Sequence, residues 1–97
     1  MEKLPTVYIM TNRRNGALYV GVTSNLIKRV WQHREGVFDG FTKRHSLKSL
    51  AWFERMPTMV AAIAREKEIK KWNRQWKVRL IERFNPEWDN LYSSLFY

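Results

Sequence analysis

The dipeptide Asn15-Gly16 constrains this chain more than any other feature, because it falls between two runs that both favour extended backbone. Asn and Gly tolerate the positive φ that tight hairpin turns need. The first run, Pro5 to Thr11, carries β-branched and aromatic residues in Thr6-Val7-Tyr8-Ile9 and gives way to the polar stretch Asn12 to Gly16. The second, Ala17 to Val22, reads as the return strand. The two should pair antiparallel, which puts Tyr8 and Tyr19 on neighbouring strands.

The next segment reads as helical. Thr23-Ser24-Asn25 supplies N-cap candidates, and Leu26, Ile27, Val30 and Trp31 form an apolar stripe that leaves Lys28, Arg29, Gln32 and His33 on another face. This predicts a helix of about three turns ending before Gly36. Gly36 to Arg44 reads as a loop, with Asp39-Gly40 as a turn and Phe38 and Phe41 as anchors. Leu50 to Met56 is a candidate third strand, bounded by Pro57. Thr58 to Trp72 contains neither Gly nor Pro and is expected to be a helix capped by Thr58, its first half ringed by apolar residues and buried. Arg74 to Phe84 predicts another helix, with Trp76, Val78, Leu80 and Ile81 as its apolar residues and Asn85-Pro86 as its stop. Asn90 to Tyr97 is a short aromatic tail. The order is β-β-α-β-α-α, which predicts an α/β chain of the α+β kind, a small three-stranded, mostly antiparallel sheet flanked by helices. Its 97 residues give room for one hydrophobic core, so residues 1–97 are expected to form one domain.

Composition decides what such a domain would meet. Hydrophobic residues make up 44% of the chain, with five Trp, five Phe and four Tyr, enough apolar surface to offset the entropy of ordering. Eighteen Lys and Arg against nine Asp and Glu give a net charge of +9, which points to a polyanion, either nucleic acid or an acidic membrane surface. No run approaches the roughly 18 apolar residues of a membrane span, and the first residues lack the basic start and apolar run of a signal peptide. No helix splits cleanly into a cationic and an apolar face, which weakens the membrane reading. A cytoplasmic protein with no membrane contact is expected. With no Cys and only two His, thiolate zinc sites and Cys nucleophiles are excluded, and any metal would be held mainly by oxygen.

Taken in order, the chemistry-bearing residues are Tyr8 in the first strand, Tyr19-Val20-Gly21 in the second, Arg29 on the next helix, a Glu in the helix after the third strand, and Asn90 near the end. This ordered set resembles the GIY-YIG nuclease superfamily, which includes intron homing endonucleases, some restriction enzymes and the nicking subunit of bacterial excision repair. The likeness runs over nearly the whole chain. Within the superfamily, Asn85-Pro86-Glu87-Trp88-Asp89-Asn90-Leu91-Tyr92 and Phe41-Thr42-Lys43-Arg44 look like the small stand-alone bacterial members. Thr6 stands where the first Gly of the name motif would lie, but that Gly is not a catalytic side chain in the family. Two Glu compete for the acidic position. Glu66 neighbours Ala62, Ile63 and Ile69 at helical spacing, with Lys70 also in reach, so it should point toward the protein body; Glu68 neighbours Arg65 and Lys71 and reads as a solvent-side ion-pair residue. Family spacing favours Glu66 as well.

The resemblance implies hydrolysis of DNA phosphodiester bonds with one Mg²⁺ or Mn²⁺ held by Glu66, Arg29 on the scissile phosphate, and Tyr8 and Tyr19 beside the attacking water. Tyr8 is the implied general base, and Asn90 is implied to hold the geometry. A phenol with a pKa of about 10 is a poor base at neutral pH, so Arg29, His33 or the metal would have to favour the phenolate. His33 lies one turn after Arg29 on the same helix face, and His45 is a second candidate on the loop. Plainer readings exist for several of these: Tyr8 and Tyr19 also fit a cross-strand aromatic pair, Glu66 an i to i+4 partner of Lys70, and Asn90 a cap of the terminal turn.

Arg13, Arg14, Lys28, Lys43, Arg44, Lys70, Lys71 and Arg74 are candidate phosphate contacts on DNA. Trp72 and Trp76, interleaved with the basic residues from Arg65 to Arg83, recur at helical spacing with other apolar residues and are expected in the core. A chain consumed by the catalytic-type domain leaves no separate recognition module. Cutting would then follow DNA structure, as in repair or recombination, unless a partner protein supplies sequence recognition. The alternative is a module of the same fold that binds nucleic acid without cutting it.

Overall fold

The computed structural model describes residues 4–37 and 40–96; Phe38, Asp39 and Tyr97, named above, lie outside them. Strands β1 (Thr6–Thr11) and β2 (Leu18–Thr23) pair antiparallel, with Tyr8 opposite Gly21 and Met10 opposite Tyr19. The connection differs from a two-residue hairpin, because the last strand pair is Thr11 with Leu18. Within it the Gly16 amide donates to the Arg13 carbonyl at 2.9 Å, and only Asn15 takes a positive φ, 56°. Gly16 is needed for room instead: a Cβ there would stand 1.9 Å from Asn12 Oδ1, which accepts the Ala17 amide.

Strand β3 (Ser49–Arg55) pairs antiparallel with the other side of β1, giving the sheet order β2-β1-β3. The central strand is buried along its whole length. The register jumps between Ile9 opposite Trp52 and Met10 opposite Leu50, so Ala51 is an extra residue in β3. Such a bulge leaves backbone groups unmatched, and the buried Asn85 side chain donates to the Ala51 carbonyl at 3.0 Å.

Helices cover both faces. On one, α1 (Leu26–Arg34), Leu47 and the terminal 3₁₀ helix (Leu91–Phe96) pack on Tyr8, Met10 and Leu50. The loop expected after α1 contains a one-turn helix, α2 (Phe41–Arg44). On the opposite face, α3 (Met59–Lys71) and α4 (Arg74–Phe84) set Ala62, Ile69 and Ile81 against Val7, Ile9, Val20 and Trp52. Asn25, Thr58 and Asn73 cap α1, α3 and α4 by accepting an amide three residues on.

Three expectations of burial fail. The inward stripe of α1 is Leu26, Val30 and His33, while Trp31 is 50% exposed. The first half of α3 is not buried: Ala62 faces the sheet, but Val60 is 79% exposed, because α3 packs on one side only. Trp76, expected in the core, is 52% exposed. Apolar spacing marks a helix face without saying what will cover it.

Candidate functional site

The site grows from the sheet register. Tyr8 and Tyr19 project from the same face of adjacent strands, two pairs apart in the register, with ring centroids 6.4 Å from each other. The Tyr8 ring lies against Gly21, where an added Cβ would come within 2.6 Å of its Cζ and Oη. Any side chain at position 21 would therefore displace the ring. Helix α1 carries His33 onto this face at spacing i, i+4, i+7 with Leu26 and Val30, and its Nε2 lies 2.9 Å from the Tyr8 hydroxyl. The His33 ring centroid is 5.6 Å from both tyrosine rings, so the three form a triangle. Arg29, one turn earlier on α1, hydrogen-bonds the Tyr8 hydroxyl.

The electrostatics follow from burial. Burial, then Tyr19, push the Tyr8 hydroxyl well above the usual phenol range, while Arg29 opposes them and Glu66 adds to them. His33 is held down to about 4 by burial and by the Arg29 charge, so it is neutral at pH 7. This corrects the expectation that a cationic His33 favours a Tyr8 phenolate. His33 is a neutral hydrogen-bond partner, and Tyr8 rests as the protonated phenol.

Glu66 sits between Ala62 and Ile69 on the inward stripe of α3, its side chain 15% exposed, whereas the Glu68 side chain is 56% exposed and pairs with Arg65. Its charge is felt at Tyr8, and Lys70 Nζ lies 3.4 Å from its Oε2. Among the described residues, no three or more His, Asp or Glu gather into a ligand cluster. An ion at Glu66 would thus rest on one carboxylate and keep most of its water, a coordination that hard divalent ions such as Mg²⁺ accept. Beside these residues Thr23, Ser24, Asn25, Lys28, Arg29 and Gln32 line a cavity of about 220 Å³, with two cations at its wall.

Other expected residues lie elsewhere. Asn90 Oδ1 accepts the amides of Leu50 and Tyr92, both at 3.1 Å, and so ties the terminal segment to β3. His45 is exposed and lies tilted against Phe41, with centroids 4.4 Å apart. Arg74 Nη2 donates to the Asn15 carbonyl at 2.7 Å and to that of Gly16, so part of its guanidinium is engaged by the chain itself. Arg13, Arg14, Lys28, Lys43, Arg44, Lys70 and Lys71 are exposed. Sequence reasoning placed Gly21 only within the Tyr-Val-Gly motif and Asn85 at a helix stop and in the likeness to stand-alone members, without the contacts that each makes. A Gly inside a strand signals close approach of another group, and that signal was present at Gly21.

Compared with known protein families, the chain matches the model of the GIY-YIG catalytic domain over residues 4–79. The chain belongs to the GIY-YIG family. This GIY-YIG chain is 35% identical over 68 residues to a UPF0213 protein of Staphylococcus saprophyticus, covering 70% of this chain and 83% of the relative. It is 36% identical over 76 residues to a UPF0213 protein of Staphylococcus haemolyticus, covering 78% and 92%. To a UPF0213 protein of Haloquadratum walsbyi it is 36% identical over 66 residues, covering 68% and 74%. No solved structure matches it. The GIY-YIG family is a nuclease family whose members use divalent metal ions, and its substrate class is DNA. No helix among the described residues is long and apolar enough to cross a membrane.

Proposed function

We propose that this GIY-YIG domain is a divalent-metal-dependent endonuclease or nickase that cuts DNA by structure more than by sequence. The observation that carries the reading is the buried Tyr8 hydroxyl held between His33 Nε2 and the Arg29 guanidinium. Phosphodiester hydrolysis needs an activated water, neutralised phosphoryl charge and a stabilised leaving oxygen.

Arg29 and Lys28, at the wall of one cavity, would receive the scissile phosphate, and Arg29 suits two parallel hydrogen bonds to it. The water attacks phosphorus beside Tyr8 and Tyr19. Its proton passes to the Tyr8 oxygen as the Tyr8 proton passes to His33 Nε2, with the other His33 nitrogen protonated. The new bond joins the water oxygen to phosphorus, the bond from phosphorus to the 3′ oxygen breaks with its electron pair going to that oxygen, and the leaving oxygen takes a proton from solvent. Because the Arg29 charge is one of the two causes holding His33 down, a phosphate that pairs with Arg29 would raise the basicity of His33 as substrate arrives. Glu66 would hold a divalent ion, which supplies positive charge to the leaving 3′ oxygen when bound.

Cleavage of supercoiled, branched and single-stranded DNA with Mg²⁺ or Mn²⁺ tests the reading. Arg29→Ala and Glu66→Ala are each expected to lower the rate by about 100- to 1,000-fold, the usual loss when a group acting on transition-state charge is removed. Equal background nicking by wild type and both variants would sink the nuclease reading. Salt-sensitive binding without cutting would favour a non-catalytic binding module instead.

A further inference from the structure

The corner between α3 and α4 carries a second site. Trp72 closes α3, Trp76 lies on the first turn of α4, and their rings meet edge to face with centroids 6.1 Å apart. With Arg79, Leu80 and Arg83 they line an open cavity of about 220 Å³, smaller than the roughly 300–1,000 Å³ pockets that enclose whole small molecules. Arg65 lies over the Trp72 ring at 5.3 Å, while Trp76 is 52% exposed. Among the described residues, the side chains of Arg79 and Arg83 make no ion pair or hydrogen bond. The one acid on α4, Glu82, is turned away to accept the Trp88 indole N–H at 2.8 Å.

We propose that this corner binds an unpaired DNA strand, with a base stacked on Trp76 and the flanking phosphates on Arg79 and Arg83. An exposed indole beside two uncommitted guanidinium groups is complementary to a chain that alternates π-faces with negative charge. A duplex keeps its bases stacked on one another and offers the indole no face, so the occupant is single-stranded. The groove opens six residues beyond Glu66 on α3, roughly 9 Å along the helix axis, the reach of a few nucleotides at about 3.4 Å each. This rests on the nuclease reading and sharpens it, because the substrate becomes DNA with a single-stranded segment near the cut.

Binding to a short oligothymidylate and to a blunt duplex of equal length, measured on the full chain without divalent metal, tests the proposal. Trp76→Ala should weaken the single strand by about 5- to 150-fold, the range of one base–aromatic stack, and leave the duplex unchanged. Trp76→Phe should recover most of the loss. Replacing Arg79 and Arg83 together by Ala should lower the slope of log affinity against log salt by about 1.4, at roughly 0.7 per phosphate contact. Melting curves confirm that the variants fold. Undiminished single-strand affinity in Trp76→Ala, equal losses on both DNA forms, or Trp76-dependent binding of an acidic peptide with none of oligothymidylate would overturn it. Cutting that depends on Arg29 with no Trp76 effect sinks this inference alone; Trp76-dependent binding with no cutting sinks the nuclease reading alone.

Discussion

A missing side chain at position 21 is what lets Tyr8 reach its partners. In Gly21→Ala the new methyl would come within 2.6 Å of the Tyr8 Cζ and Oη, and the ring must swing off β2 and away from His33 Nε2. The expected cost is about 1–3 kcal/mol, typical of overpacking, seen as a lower urea midpoint together with a large loss of cleavage. An unchanged midpoint and rate would show that the ring has slack. His33 makes a second prediction, on pH. Its ordinary value is about 6.5 and its folded value about 4, so between these the unfolded chain binds the proton and the folded chain does not. The stability that its neutral form contributes is therefore complete above pH 6.5 or so and fades as pH falls toward 4, by up to about 3 kcal/mol. Urea titrations of wild type and His33→Gln at several pH values check this: wild type should lose more stability on acidification, and parallel losses would contradict a neutral buried His33. Each environment was legible only in part: a Gly inside a strand signals close approach, and the resemblance sets His33 near Tyr8, but the helical pattern leaves His33 off the apolar stripe that in the structure it joins.

Elements were more legible than their seating. The spans of α1, α3 and α4 and all three strands come from caps, Pro stops and apolar runs, signals that act over a few residues. The bulge at Ala51 and the six residues from Asn12 to Ala17 between the strands were hidden, because both depend on pairing with distant partners. The Ala51 carbonyl finds Asn85 34 positions away, and no local pattern encodes that bond. Asn90 belongs to this scale too, since it joins the terminal 3₁₀ helix to the β3 edge. Asn90→Ala leaves the Leu50 and Tyr92 amides without that acceptor, and a stability loss of about 1 kcal/mol is expected. Cleavage by the folded variant should stay close to wild type, in contrast to Arg29→Ala. A loss of cleavage as deep as that of Arg29→Ala, at full stability, would return Asn90 to the reacting groups.

Across the whole molecule, the sheet separates two kinds of work. One face carries Tyr8 and Tyr19 beneath Arg29 and His33 of α1, and the other packs Val7, Ile9 and Trp52 under α3 and α4. Glu66 belongs to the helix layer of the second face yet is sensed at Tyr8. The net charge of +9 announced a polyanion but not which cations are free to meet it: Arg74 and Lys70 turn to the protein's own groups, while Arg79 and Arg83 remain available. The face that bears the tyrosines is also completed late. Leu91, Tyr92 and Leu95 pack against its core, and Arg34 lies over the Tyr92 ring at 4.7 Å. A ribosome adds about 5–20 residues per second from the N-terminus, so the proposed cutting residues are all made well before the segment that closes over their support. During synthesis, a nascent chain already holding Tyr8, Arg29, His33 and Glu66 would therefore still lack the apolar support that Leu91, Tyr92 and Leu95 give the tyrosine face.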